Sequence, residues 1–232
     1  MPPEARRVFA AERLPLLEVY ATSLATAGVE RGLIGPREVP RLWARHLLNC
    51  GALAGVIGAD LTVADVGSGA GLPGLVLAIA RPDLRVTLIE PLLRRTTYLS
   101  EVVDALDLAN VEVVRGRADE LHGRRTFDVV TSRAVAPLER LLPWSMPLVA
   151  REGELVAMKG SSVADEVESV ADRWARWGLA SPRIEPIGAD LPDGGTVVLR
   201  VAWAGAPLVS LPVGPRPRRA ASGRSRRPRR PR

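Results

Sequence analysis

The residues with the greatest capacity for chemistry in this chain fall in one short stretch. Gly67, Gly69, Gly71 and Gly74 occur within eight residues, after the run Leu61-Thr62-Val63 and before the apolar segment Leu75-Val76-Leu77-Ala78-Ile79-Ala80. The pattern predicts a buried strand turning sharply into a helix, with backbone bare enough for a ligand to approach closely. At the carboxyl end of the first strand of an open parallel sheet, that is a nucleotide-sized site. The spacing fits both GxGxG and GxGxxG, so the glycines alone do not name the ligand. Asp65 places a carboxylate at the strand end, and Pro73 removes a backbone donor from the helix's first turn. Both features disfavour a pyrophosphate, and S-adenosylmethionine, which has no phosphate and carries an ammonium and a sulfonium, tolerates them better.

Further along, the ends of successive strands supply the rest of a site. Val86-Thr87-Leu88-Ile89-Glu90 ends in a carboxylate about twenty residues past the glycines, suited to the two hydroxyls of a ribose. Gly116-Arg117-Ala118-Asp119 follows the third strand, where Asp119 can accept from an adenine amino group while Ala118 covers the ring. The fourth strand delivers Ser132-Arg133-Ala134, and the fifth ends at Met158-Lys159-Gly160 with the chain's one lysine, a compact charge that an arginine fork does not imitate. Arg94 and Arg95 open a helix where the dipole prefers acids, which fits residues held for an anionic partner. His46, His122 and Cys50 lack ligand spacing, so no metal is expected. There is also no Asp-Pro-Pro-Tyr or Asn-Pro-Pro-Tyr segment and no Pro-Cys nucleophile.

The elements that position these groups are a helical lead-in and an alternating α/β body. Residues 4–57 read as helical, with a break at Pro15, a turn at Gly35-Pro36, and a helix carrying Trp43, Leu47 and Cys50 on one face and Arg41, Arg45 and Asn49 on another, His46 beside them. Strands are predicted at 61–66, 85–90, 111–115, 127–131, 153–158, 182–187 and 196–203, with Arg200 an anomaly in the last. Helices are predicted at 73–81, 92–107, 137–149 and 162–177, giving a mainly parallel sheet. No run of about eighteen apolar residues is present and no signal-peptide pattern opens the chain, so no membrane role is expected. With one cysteine, a cytoplasmic location is expected. Charge is uneven: residues 216–232 hold nine arginines and no acid, while the remainder carries 23 basic and 26 acidic residues. That composition predicts a disordered arm with affinity for phosphate backbone.

Trp43-Ala44-Arg45-His46-Leu47-Leu48-Asn49, Asp65 to Gly74, Arg81-Pro82, Glu90, Phe127-Asp128 with Ser132-Arg133-Ala134, and Lys159-Gly160 occur in this order, and together they resemble the RsmG family, also called glucose-inhibited division protein B. The resemblance implies a class I S-adenosylmethionine-dependent methyltransferase fold, Rossmann-like with a seven-stranded sheet and helices on both faces. Residues 1–58 would be a helical extension, 59–205 the methyltransferase domain and 206–232 the basic tail. It also implies S-adenosylmethionine as donor and N7 of a guanine of bacterial 16S ribosomal RNA, position 527 in the usual numbering, as acceptor, on the RNA or the small ribosomal subunit, by a monomer. Carried over, the family's cofactor contacts fall on Gly67, Leu72, Ala118, Asp119 and Arg133, with Gly69 in the loop and Glu90 as the ribose ligand. The family often has Asp where this chain has Asn49.

Guanine N7 bears a lone pair and no proton, so transfer to it needs positioning rather than a general base. Arg133 and Lys159 are the positioning candidates, and Arg45, His46, Arg94 and Arg95 the candidates for holding RNA. The competing readings are a methyltransferase acting on a small molecule and a nicotinamide-dependent dehydrogenase or plain nucleotide-binding module. Deleting residues 216–232 is predicted to flatten the salt dependence of RNA affinity; an unchanged slope would remove the tail from the interface.

Overall fold

Strands covered on both faces need unbroken apolar runs, and those runs form the centre of this molecule. The computed structural model, which describes residues 1–211, contains one seven-stranded sheet: β1 (Thr62–Val66), β2 (Arg85–Glu90), β3 (Val111–Arg115), β4 (Phe127–Arg133), β5 (Val149–Lys159), β6 (Arg183–Ile187) and β7 (Thr196–Ala202). Their order is β3-β2-β1-β4-β5-β7-β6. The first five pair in parallel, and β7 runs antiparallel between β5 and β6. The mainly parallel seven-stranded sheet is the one predicted from the strand pattern, and its form agrees with what the family resemblance implies. The winding reverses between β1 and β4, which opens a crevice beyond their carboxyl ends.

Helices α1 (Ala5–Val8), α2 (Leu14–Ser23), α3 (Leu48–Ala54), α4 (Gly74–Ala80), α5 (Leu93–Ala105), α6 (Leu138–Ser145), α7 (Val163–Glu168) and α8 (Ala171–Trp174) cover the sheet. Successive strand residues point to opposite faces. Val63, Val129 and Val156 accordingly pack with Leu17, Tyr20, Leu48, Leu75 and Leu99 in one core. Ala64, Val130 and Leu155 pack with Leu138, Leu142 and Trp177 in the other. The N-terminal helices therefore share their core with the sheet.

The break expected at Pro15 is the start of α2, whose first turn has no use for the missing N–H. Other local expectations are corrected. α2 passes into a π-helical turn, Leu24–Gly28, and a second π-helical stretch, Leu42–Leu47, leads into α3. The helix predicted over 162–177 is broken between α7 and α8, where Ser169 Oγ donates to the Glu166 carbonyl (2.6 Å), a local bond that competes with helix continuation. β5 starts earlier than predicted, with a register irregularity against β4 between Phe127 and Val129. Within the stretch assigned to the tail, residues 206–210 are exposed and Leu211 is buried in the second core. The arginine-rich stretch from Arg216 lies outside the described residues.

Arg200 does not interrupt β7. Its side chain is 10% exposed and is neutralised by Glu154 of β5 and Glu185 of β6, the latter at 2.9 Å, and Nη2 donates to the Val56 carbonyl at 2.9 Å. Arg200→Met would strand those acceptors. It is predicted to cost about 3 kcal/mol of stability in urea unfolding, and a loss below about 0.5 kcal/mol would mean that the network contributes little.

Candidate functional site

Between β1 and α4 the backbone is fastened from several directions. Gly67 N–H and Ser68 N–H both donate to the Ile89 carbonyl of β2, at 2.8 and 3.2 Å. Gly69 N–H donates to Glu90 Oε2 (3.0 Å). From below, Tyr20 Oη of α2 donates to the Ala70 carbonyl (2.8 Å). Gly67 sits at φ 72°, and a Cβ there would lie 2.8 Å from Val135 Cγ2, so only glycine allows this turn and this approach. A Cβ on Gly74 would lie 2.7 Å from Asp65 Oδ2, which lets the start of α4 seat against β1.

Asp65 corrects the sequence reading. Its carboxylate does not face the ligand side; it is fully buried, and Oδ2 accepts from Gly74 N–H at 3.0 Å. Burial pushes its carboxyl up to about 7, against the lowering effect of the Gly74 N–H, with Glu90 nearby adding to the rise. Of the two strand-end carboxylates, Glu90 is the one that lines the ligand-side cleft.

Two clefts open at the carboxyl edge of the sheet and share Ala134 and Val135. The smaller, about 430 Å³, is lined by Gly67, Glu90, Arg95, Ala118, Asp119 and Trp144 among others. The larger, about 950 Å³, is lined by Arg41, Arg45, Asn49, Arg133, Lys159 and Glu166 among others. The predicted cofactor residues are thus divided: Gly67, Glu90, Ala118 and Asp119 line the smaller cleft, Gly69 acts through its bond to Glu90, and Arg133 lines the larger. Leu72 lines neither and packs against the first core.

Glu90 is 1% exposed and already accepts from Gly69 N–H, Leu92 N–H (3.1 Å) and Arg95 Nη1 (3.3 Å). A carboxylate has about four acceptor positions, so one is left for a ligand hydroxyl. Asp119 is half exposed at the far end, with Oδ1 3.1 Å from Arg117 Nε. The groups expected to meet RNA also separate. Arg94 is exposed and lines neither cleft, Arg95 is held by Glu90, and Arg45 lies on the larger cleft with Nη1 3.5 Å from Glu38 Oε1. His46 has both ring nitrogens engaged within the chain, by Glu38 and Arg133, in place of a free surface contact.

Lys159, 9% exposed, lines the larger cleft and is engaged within the chain. Its Nζ lies 2.7 Å from Glu166 Oε2 and donates to the Ala136 carbonyl (3.2 Å), while the same Glu166 oxygen accepts from Leu138 N–H (3.0 Å). The pair clamps the segment that separates the two clefts. Glu166 was not legible beforehand, and neither was Trp144, which forms a wall of the smaller cleft under the guanidinium groups of Arg140 and Arg117, 4.9 and 6.0 Å from its ring centre. An arginine four residues before a tryptophan was the available signal.

The smaller cleft brings together the backbone of Gly67, the Glu90 carboxylate and the aromatic wall of Trp144, groups whose chemistry fits an adenosine. A prediction follows for Asp65. A carboxyl raised from 3.8 to about 7 is protonated more readily in the folded than in the unfolded chain. Its stabilisation is therefore full at low pH and is lost as pH rises from about 4 to 7, by at most about 1.4 kcal/mol per pH unit. Asp65→Asn is predicted to gain stability relative to the parent across that window in urea titrations; parallel curves would contradict the raised value.

Comparison with known proteins agrees with this architecture. A family model, GidB, rRNA small subunit methyltransferase G, matches residues 13–186. The ribosomal RNA small subunit methyltransferase G of Nocardioides sp. is 60% identical over 213 residues, covering 92% of this chain and 85% of that protein. That of Streptomyces avermitilis is 48% identical over 227 residues, covering 97% and 95%. Among solved structures, an S-adenosylmethionine-dependent O-methyltransferase of Thermotoga maritima superposes with a TM-score of 0.55 at 10% identity, over 73% of this chain and 71% of that one. M. jannaschii TYW2 in complex with AdoMet gives 0.53 at 18% identity, over 68% and 74%. The fold is thus shared with solved methyltransferase structures, and the chain belongs to the GidB family of rRNA small subunit methyltransferases G.

Proposed function

We propose that this S-adenosylmethionine-dependent enzyme methylates N7 of one guanine of 16S ribosomal RNA, with the donor's adenosine in the smaller cleft and the guanine in the larger. The observation that carries the reading is the meeting of the two clefts at Ala134-Val135, beside Arg133. S-adenosylmethionine, when bound, supplies an electrophilic methyl group on sulfur. Gly67, Gly69, Glu90, Ala118 and Asp119 would hold its adenosine, Glu90 taking a ribose hydroxyl and Asp119 the adenine amino group, with Trp144 walling the cleft.

The polar groups around the larger cleft fit an acceptor with a lone pair and no proton. Arg133 is a donor of hydrogen bonds and cannot act as a base. Of the two acids lining the cleft, Glu166 is already bound to Lys159 and to Leu138 N–H, and Asp193 Oδ2 lies 3.9 Å from Arg41 Nη2. Arg133 would orient the donor's carboxylate, guanine O6 or an adjoining phosphate, and Lys159 would act indirectly, by fixing the segment between the clefts. Arg41 and Arg45, both about half exposed on the rim, suit a phosphate backbone, and Arg94 extends the cationic surface past the smaller cleft. The major groove of paired RNA is too narrow to be read, so the target guanine would be presented unpaired. The enzyme would work as a monomer in the cytoplasm, on the RNA or the small ribosomal subunit.

Transfer of labelled methyl from S-adenosylmethionine to small-subunit RNA lacking the modification is predicted to place label at a single guanine N7, detected by chemical cleavage at 7-methylguanine. Label on a small molecule and none on RNA would overturn the reading. Asp119→Ala is predicted to weaken cofactor binding by about 1–3 kcal/mol; unchanged affinity would remove Asp119 from the adenine site.

A further inference from the structure

Arg133 reaches the larger cleft from β4, yet the groups that fix its orientation come from the N-terminal helices. Its Nη2 donates to His46 Nδ1 at 2.7 Å and to the Arg45 carbonyl at 3.2 Å, and Nη1 lies 3.9 Å from Cys50 Sγ. A guanidinium only donates hydrogen bonds, so His46 Nδ1 must be the bare, accepting nitrogen. The ring proton is then on Nε2, which lies 2.9 Å from Glu38 Oε2. A neutral ring with its proton on Nε2 satisfies both neighbours. A second proton would set one N–H against another and one cation against another.

We propose that Glu38 and His46 are positioning residues for methyl transfer, a proton-dependent clamp that holds Arg133 in its working orientation only while His46 is neutral. The inference rests on the role given to Arg133 above. With three of its five donors directed at the N-terminal helices, two remain for a ligand. The charged groups facing His46 are Glu38 on one side, Arg45 beside it on the chain and Arg133 across from β4. Cys50, behind Arg133, has its thiol pushed up to about 11 by burial and carries no charge at neutral pH. Burial and the Arg133 charge hold His46 below its ordinary 6.5, with Glu38 pulling only partly the other way. The His46 hydrogen bond in turn holds Glu38 below the usual carboxylate range. At neutral pH the pair is therefore an ionised Glu38 and a neutral His46, and the clamp opens as pH falls through the lowered value of His46.

The chain has two histidines, His46 and His122, so nitrogen NMR of the full chain and of His122→Asn reads the His46 tautomer with no cofactor present. At neutral pH a proton on Nε2 and a bare Nδ1 are expected. Single-turnover methylation of unmodified small-subunit RNA, followed from about pH 5 to 8, is expected to lose rate on the acid side in step with that titration. His46→Leu is expected to be about 10- to 100-fold slower. His46→Asn, which offers an oxygen near the place of Nδ1 and does not titrate, is expected to recover most of the rate and to lack the acid limb. A proton on Nδ1, or a His46→Leu protein as fast as the parent with the same pH profile, would overturn the clamp. Failure of the parent to methylate RNA would overturn the functional reading and the positioning role with it. The tautomer measurement fails only if the clamp itself is absent, so it still separates the two failures and carries the test if His46→Leu does not fold.

Discussion

The turn between β1 and α4 must leave its upper backbone bare for a ligand, so every bond that holds it has to come from below or from the side. Gly67 and Ser68 lean on β2, Gly69 on Glu90, Ala70 on Tyr20 and Gly74 on Asp65. Buried polar groups are costly unless paired, so these contacts define where the turn can sit. Asp65 shows the cost: a carboxyl with no access to water, held by one N–H on Oδ2 while Oδ1 has no partner. The placement stabilises the start of α4 at the expense of an easily retained proton.

The same dependence makes the N-terminal helices part of the site. Tyr20 bonds the glycine turn and His46 bonds Arg133, so two of the groups around the smaller and larger clefts are fixed from elements that precede the sheet. Shared packing against Leu75, Val63 and Val129 explains why those helices are fixed firmly enough for the task. Arginine's use in this chain follows a related logic. Arg200 holds three strands together, Arg95 occupies Glu90 and Arg133 is aimed by a histidine, while Arg41 and Arg45 remain on the rim.

Much of the sheet was legible because parallel strands write themselves as apolar runs, and each strand-end residue singled out in the sequence does reach the carboxyl edge. What could not be read was pairing across distance. His46 and Arg133 are 87 residues apart and Tyr20 and Ala70 are 50 apart, and no local pattern joins them. Lys159 was read as a positioning candidate, but its partner Glu166 was not legible, because it lies on a helix whose orientation only the fold sets. Asp65 was misread for a related reason, since a strand-end residue has two faces and the sequence names neither. Leu72 was carried from the family motif, and its side chain serves the core.

The central claim is that two clefts form one chamber in which guanine N7 faces the donor's methyl position past Ala134-Val135. The most direct measurement is the affinity of a bisubstrate compound in which the adenosyl donor is joined covalently to guanine N7, set against the same compound joined through the exocyclic amine. The account predicts tighter binding of the N7-linked compound than of S-adenosylhomocysteine, and a clear preference over the amine-linked one. Equal binding of all three, or preference for the amine linkage, would contradict it.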